Sequence, residues 1–520
     1  MTLSRADTLA RRFRDTWHLW SVGLVTFLLI YLSSWTKGYG YFIDEFYYIA
    51  CALHPAWGYV DHPPLAPLVL ATVQLLLGDA IPVVRVLPAG AAAASAFLTG
   101  ILARDIGAGK FARLVAATAM AAAPAVVAFG GFYSMNAFEP LLATLLLILV
   151  VKIVREKNHR MWMAAGVVTG LGIMNKHTFV LCFAALVLSL VVTGHWRDVL
   201  NRWFLAGVGC AAIIVSPNLL WQVTHGFPSL EFYRNIATFK NVYTPPGAFV
   251  VGQMMAMSPT TVPLWVGGMF YLLVARPARD IRFLSVFFIA LFVFMMISGT
   301  SRSDRLMFAY PAVFAGGALL VERALSRLQT RWHRPLIIVF LYAGLAVALP
   351  VVIPWFDYDT VRSYVETIGL NTEIERGKKP PLPQLLADRI GWHEKYALVH
   401  AAVNSLSPED RTQAIIATGN YGQAGAIELF GRNDSLPPVV CAHNTYYLWS
   451  RERLKGTIVL QLAHPGDVGH LRERFARVEQ CEGEYASPYV SSHENHLIVC
   501  ICRGPKVPLR EMLDRGKTYR

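Results

Sequence analysis

The sequence predicts a polytopic, mainly α-helical membrane protein that ends in a soluble α/β domain. Three observations carry this reading. Of the 520 residues, 55% are hydrophobic and 16% charged, against about 45 to 50% apolar and about 25% charged in soluble domains. Apolar runs near the bilayer-crossing length of about 20 residues recur as far as about Ile353 and then stop. From Trp355 to Arg520 the chain turns more polar, with 20 basic and 20 acidic residues. The apolar content excludes intrinsic disorder, and seven cysteines in so long a chain exclude a disulfide scaffold.

About twelve spans are expected. They lie near Trp17 to Thr36, Pro63 to Leu77, Pro82 to Ala103, Ala112 to Phe129, Ala137 to Val151, Met161 to Met174, His177 to Thr193, Trp203 to Leu219, Phe249 to Val274, Phe283 to Gly299, Leu306 to Leu320 and Pro335 to Ile353. The runs between Pro63 and Ala103 and between Met161 and Thr193 are short and carry Gly and Pro, a pattern that re-entrant or interfacial segments share. The basic N-terminus before an apolar run also resembles a signal peptide, but Ser33, Ser34 and Trp35 make a poor cleavage site.

Lys and Arg concentrate in cytoplasmic loops, whereas Asp and Glu count for little. With the N-terminus inside, the cytoplasmic segments hold 20 basic residues: Arg5, Arg11, Arg12, Arg14, Arg104, Lys110, Arg113, Lys152, Arg155, Lys157, Arg160, Arg197, Arg202, Arg276, Arg279, Arg282, Arg323, Arg327, Arg331 and Arg334. The outward segments before the tail hold 7, namely Lys37, Arg85, Lys176, Arg234, Lys240, Arg302 and Arg305, while the acidic residues divide 7 and 7. The net charge of +13 is therefore an orientation signal that faces the cytoplasm, and no nucleic-acid partner is expected. The C-terminal domain is read as exoplasmic.

In that domain Ala414 to Thr418, Thr457 to Leu462 and His496 to Cys502 read as strands, and Gln384 to Val403 and Val468 to Arg477 as helices, a small α/β layer. Pro354 marks the boundary, so the domains are 1–354 and 355–520, and Lys378 to Pro383 is a Pro-rich connector. Four cysteines (Cys441, Cys481, Cys500 and Cys502) lie here, and an exoplasmic compartment permits disulfides. Cys481 paired to Cys500 or Cys502 and buried free thiols are both open readings.

The outward loops carry the chemistry. Asp44 and Glu45 are adjacent within the aromatic run Tyr41 to Tyr48. Partial desolvation and like-charge proximity raise carboxyl pKa values, which suits a general base. Adjacent residues on a helix diverge by about 100°, so one carboxylate points into any shared site, and a plain charge pair at a helix start is the rival. His62 precedes Pro63 and Pro64, which present it rigidly; a structural histidine is the alternative. Glu139 stands at the mouth of an apolar span, where an ionisable group points to function, unless Asn136 and Glu139 form a capping box. Lys176, Arg302, Asp304, Arg305 and Tyr310 fall on the same outward side. The loop from Trp221 to Asn235, with His225 and Tyr233, reads as a binding lid or as a segment lying on the interface. No Walker motif, no Rossmann glycine fingerprint and no Cys or His pair at metal spacing is present, so neither a metal nor another cofactor is expected.

At these residues the chain resembles the family 39 membrane glycosyltransferases, which include protein O-mannosyltransferases and the aminoarabinose transferases of lipid A. The resemblance rests on Asp44-Glu45, His62-Pro63-Pro64-Leu65, Tyr133 to Glu139, Pro217 to Gln222, His225 to Pro228 and His443 to Trp449. It implies a GT-C fold and transfer of a sugar from a polyprenyl phosphate to a lipid, glycan or protein acceptor, with inversion, on the exoplasmic face of a bacterial inner membrane. Asp44 matches the family's base and Glu45 its acidic neighbour. Glu139 stands where relatives often have Asp, and His62 where they often have a Lys that meets the lipid phosphate. Arg85, Lys176, Arg302, Arg305 and Tyr310 are the expected contacts of the donor phosphate, and Trp221, His225 and Tyr233 those of a substrate loop. The rival class is a transporter or lipid flippase, which predicts ionisable residues near mid-span, whereas the charges here sit at span ends.

Overall fold

A computed structural model describes residues 5–241, 243–299, 302–326, 332–370, 380–480 and 483–520. The chain divides into two compact units. The first comprises Met1–Trp35, Pro82–Leu219 and Tyr243–Trp355; the second comprises Thr36–Ile81, Leu220–Val242 and Phe356–Arg520. Arg327, Arg331 and Cys481 fall outside the described residues, as do the first two residues of the Pro-rich connector.

The first unit is helical. Among the described residues six helices are long and apolar enough to cross a membrane: Asp15–Trp35, Ile81–Asp105, Met135–Glu156, Arg202–Thr224, Ser303–Leu325 and His333–Val352. Two bent pairs add up to two more, Lys110–Ala121 with Pro124–Gly130 at 61° and Pro246–Ala256 with Pro259–Val274 at 95°. Pro at the start of the second member explains each break, because it lacks the N–H that would continue the first helix. Leu65–Leu77, Met161–Asn175, Phe179–Val192 and Phe283–Ser298 are shorter apolar helices. All twelve expected runs are thus helices or helix pairs, but not twelve full-length spans. The Leu65–Leu77 helix departs furthest: its 13 residues extend about 20 Å, against a hydrocarbon core of about 30 Å, and it belongs to the second unit.

Small residues let the membrane helices approach. A Cβ on Gly268 would lie 2.1 Å from the Val313 carbonyl oxygen and 2.5 Å from the Gly317 nitrogen, so any side chain there would force Val262–Val274 away from Tyr310–Leu325. Without a hydrophobic drive between helices in lipid, such close backbone packing supplies the association.

The second unit contains a five-stranded sheet, with β1 (Ala414–Thr418), β2 (Val439–Cys441), β3 (Ile458–Ala463), β4 (Phe475–Gln480) and β5 (Ile498–Pro505) in the order β2-β1-β3-β5-β4. β1 pairs parallel with β2 and β3, whereas β5 runs antiparallel to β3 and β4. The three expected strands are present within three residues at each end. β2 and β4 were not expected; both are edge strands. β4 takes over the end of a stretch read as helix, which stops at Arg474. The expected helix from Gln384 stops at Ala387 and resumes at Trp392, after Gly391, whose φ of 82° is left-handed. Cys441, Cys500 and Cys502 are buried in the sheet, and the pairing expected of Cys481 lies outside the described residues.

The two earlier segments of the second unit are built into it. The Tyr47 oxygen on the Ile43–Leu53 helix accepts from the Thr445 hydroxyl at 2.7 Å, and Thr445 Oγ1 accepts from the Val60 N–H at 3.0 Å. Val60 and Phe232 share a core with Tyr447, Leu513 and Tyr519. A Cβ on Gly425 would meet the Phe46 backbone oxygen at 2.9 Å, so the Tyr421–Phe430 helix lies almost backbone to backbone on the Ile43–Leu53 helix.

One buried ion pair ties the domain's helices to its loop. Lys395 Nζ stands 2.6 Å from Glu494 Oε2, each side chain 3% exposed, with Asn420 Nδ2 at 2.6 Å from Glu494 Oε1. Burial pushes the Glu494 carboxyl up, but the Lys395 ammonium, His493 and the hydrogen bonds outweigh it and hold it below the ordinary value of 4.5. A carboxyl depressed in the folded state stabilises above its unfolded value and loses that contribution as pH falls through the folded one. Glu494→Gln should cost about 3 to 5 kcal/mol by leaving Lys395 buried alone, and acidification below 4.5 should open the same region. Hydrogen exchange of the full-length protein in detergent tests both; protection unchanged around Lys395 would refute them.

Candidate functional site

In the second unit the two adjacent carboxylates have different work. Phe42 stands before the Ile43–Leu53 helix in an extended conformation, and its N–H donates to Glu45 Oε2 at 2.7 Å. Glu45 is fully buried, so this carboxylate closes the start of its own helix in place of the catalytic part expected of it. Asp44, about 100° round the helix, is partly exposed and accepts from the Tyr421 hydroxyl at 2.8 Å. Tyr47, one turn further on the same face, donates to Asp61 Oδ1 at 2.6 Å. Burial, then the Asp61 carboxylate, pushes the Tyr47 hydroxyl well above its ordinary value, which keeps it protonated and a donor.

His62 sits elsewhere than expected. It is 1% exposed, its ring stacks on Tyr48 at 4.7 Å and lies 5.0 Å from Tyr59 and 5.6 Å from Tyr47, and Nδ1 is 3.0 Å from the Pro63 carbonyl. A ring enclosed by three tyrosines organises the loop, and the structural reading prevails over phosphate contact. The loop after the Arg202–Thr224 helix is folded back: the Phe227 N–H donates to the Gln222 carbonyl at 2.7 Å and Gln222 Nε2 to Ser229 Oγ at 2.8 Å. Trp221 and His225 stack at 4.2 Å with His225 exposed, whereas Tyr233 turns toward the core through Phe232 at 5.6 Å. Of the three loop residues proposed, His225 is exposed, and Trp221 and Tyr233 are half-buried.

The first unit gathers the cations. The Met135–Glu156 helix starts after Ser134, so Asn136 lies within it, and the capping box does not form. Instead Lys176 Nζ stands 2.7 Å from Glu139 Oε2 and 3.0 Å from Asn136 Oδ1. Glu139 is 1% exposed; at that burial an unpaired carboxylate would be very costly. Asn175 Nδ2 donates to the Met135 carbonyl at 2.8 Å, and His177 Nε2 lies 3.0 Å from Asn218 Oδ1, so Lys176 is held from both sides. The Ser303–Ala309 turn packs on the Met135–Glu156 helix. In it Arg302 Nε pairs with Asp304 Oδ1 at 3.0 Å, Arg305 follows, and Lys176 is close enough to act electrostatically on Asp304. Three cations, Lys176, Arg302 and Arg305, thus lie with two carboxylates, Glu139 and Asp304. Arg85 is buried, 1% exposed, at the start of Ile81–Asp105. Tyr310 departs from expectation: it is fully buried and donates to Gln253 Oε1 at 3.0 Å, while Gln253 Nε2 donates to the Ser303 carbonyl at 2.8 Å. Its hydroxyl therefore holds the Ser303 turn from behind instead of facing a phosphate.

Sequence reading did not pick out Tyr421, Gln253, Asn218 or Thr445 as participants. Asn218 and Thr445 lie in the runs Pro217 to Gln222 and His443 to Trp449 that carried part of the resemblance; Tyr421 and Gln253 had no charge or motif to mark them. Among the described residues no group of three His, Cys, Asp or Glu side chains could hold a metal.

The family model described as dolichyl-phosphate-mannose-protein mannosyltransferase matches residues 61–221, a stretch that includes His62, Glu139 and Lys176. No curated protein matches. Among solved structures the chain is similar to ArnT from Cupriavidus metallidurans bound to undecaprenyl phosphate, with 15% identity, TM-score 0.59, and coverage of 93% of this chain and 97% of that one. The apo state of the same protein gives a TM-score of 0.56 at 15% identity over the same shares. The arabinofuranosyltransferase AftD from Mycobacteria matches at 13% identity with TM-score 0.54, over 98% of this chain and 40% of that one. Residues 61–221 thus match that family, and nearly the whole chain shares the fold of the membrane protein ArnT.

Proposed function

We propose that the protein transfers a sugar from a polyprenyl phosphate to a lipid, glycan or protein acceptor on the exoplasmic face of a bacterial inner membrane, with inversion at the anomeric carbon. The observation that carries this reading is the gathering of three cations, Lys176, Arg302 and Arg305, with Glu139 and Asp304 at the ends of apolar helices. A lipid-borne phosphate brings two or more oxygens that need such partners, and cations aimed at a leaving group stabilise the charge it develops. The similar ArnT structure holds undecaprenyl phosphate.

Asp44 takes the proton of the acceptor hydroxyl as that oxygen attacks the anomeric carbon. The bond from that carbon to the phosphate oxygen breaks, and its electron pair leaves on the polyprenyl phosphate. The attack and departure lie on opposite faces, which inverts the centre. Orientation follows from parity. Twelve crossings with a cytoplasmic N-terminus return the C-terminus to the cytoplasm, whereas the loop charges require an odd number. Leaving Leu65–Leu77 on the outer surface gives eleven, and its exposed Leu75, Leu76 and Leu77 suit the lipid headgroup boundary.

Mass spectrometry of envelope lipids and glycans from a deletion strain identifies the product by its absence. In that strain Asp44→Asn should reduce product by about 10² to 10⁴-fold; product at the normal level would refute the base. Lys176→Met should raise the donor KM about tenfold to hundredfold, more than Lys176→Arg does, and an unchanged KM would remove Lys176 from the phosphate site. Tyr310→Phe should instead cost about 1 kcal/mol of stability and leave the donor KM as it was. A cysteine at Gly78 should react with an impermeant thiol reagent added from outside; reaction only after permeabilising the membrane would overturn the orientation.

A further inference from the structure

We infer that Tyr421, on the C-terminal α/β domain, is a positioning residue for Asp44, so that this domain is part of the transfer machinery. The inference rests on the reading of Asp44 as the base. Three observations, all within the second unit, lead to it. The Tyr421 hydroxyl donates to Asp44 Oδ1 at 2.8 Å across 377 residues of sequence. The Tyr421 ring lies over Tyr47 at 4.7 Å and 27°, and against His443 at 4.6 Å and 31°. Asp44 and Tyr47 are three apart on the Ile43–Leu53 helix, hence on one face, so ring and hydroxyl both engage that face.

The helix that carries Tyr421 is itself fixed. Asn420 precedes it and accepts from the Gln423 N–H at 3.0 Å, a capped start that places Tyr421 in the first turn. Gly422 and Gly425 then bring the helix against Ile43 and Phe46, where a Cβ would stand 2.3 Å from Ile43 Cγ1 and 2.9 Å from the Phe46 oxygen. Two helices held this closely leave the tyrosine hydroxyl little lateral freedom. A hydrogen bond to one carboxylate oxygen sets the orientation of the carboxyl plane, and a misplaced base loses rate steeply. Tyr47 adds a second restraint through Asp61 and Thr445.

A residue that merely joins two helices would show the same contacts, so the test separates the roles. Membranes from the deletion strain carrying each variant would be assayed with the lipid-linked sugar pool extracted from the parent strain, with donor concentration varied. Tyr421→Phe, which keeps the ring, should lower kcat about tenfold or more with the donor KM unchanged. In the Asp44→Asn background the same substitution should leave the residual rate unaltered, because a positioning residue acts through the group it positions. An equal loss in both backgrounds, or a wild-type kcat for Tyr421→Phe while Asp44→Asn is inactive, would overturn the role of Tyr421. Activity retained by Asp44→Asn would instead defeat the base assignment itself. A shared loss of folded protein cancels in the ratio between backgrounds, so poor folding of Tyr421→Phe leaves the cycle decisive.

Discussion

Hydrocarbon cannot solvate charge, and that single constraint arranges the first unit. A carboxylate at the mouth of a span persists only with a partner, and Glu139 has Lys176 at 2.7 Å. Lys176 is in turn braced by Asn136, and its neighbours Asn175 and His177 are tied to Met135 and Asn218. Once these polar groups must meet each other at helix ends, the spans between them can be nearly featureless. Glycine contacts such as Gly268 on Gly317 then suffice to bring the helices together. Asp198 obeys the same rule: it gathers Lys157, His159 and His195 within 3.2 Å, and although burial pushes its carboxyl up, those donors hold it below its ordinary value.

The second unit is organised by hydrogen bonds between residues hundreds of positions apart. Tyr47, Val60 and Thr445 share one hydroxyl oxygen or its neighbours, and Lys517 pairs with Glu231 at 2.7 Å. The parallel strands β1 and β2 end at Thr418 and Cys441, and the turns beyond them supply Asn420, Tyr421, His443 and Thr445. Side chains collected at the carboxyl ends of parallel strands are where open α/β layers commonly place their recognition groups.

Much of this was legible in the residues. Apolar runs located every membrane helix, because a span must be long and continuous in its apolarity. β1 was read to the residue, since Ala414 to Thr418 is a compact apolar strand flanked by breakers. Edge strands were missed: β2 has three residues, and β4 alternates weakly and follows a helical stretch. Span length was the other weak point, because hydropathy does not distinguish a 13-residue helix at a surface from a shortened crossing. In the site, ionisable groups were visible because charge near apolar sequence is expensive. Their assignment was harder. Whether Glu45 or Asp44 faces outward, and whether His62 is enclosed, depends on which tyrosines surround them. Neutral partners such as Gln253 and Tyr421 carry no such cost and left no trace.

The composition of the second unit from three chain segments bears on how the protein is made. Tyr47 leaves the ribosome 398 residues ahead of Thr445, the oxygen it will bond, and at about 5 to 20 residues per second that delay is about 20 to 80 s. During this interval the Ile43–Leu53 helix and its tyrosine cage have no sheet domain to pack on, while the membrane helices that follow are already being inserted. Biogenesis therefore has an order: the membrane helices come first, and the second unit is completed only when the last residues arrive. A nascent chain stalled before the sheet domain would display an apolar, aromatic surface, the kind of surface that chaperones and proteases recognise.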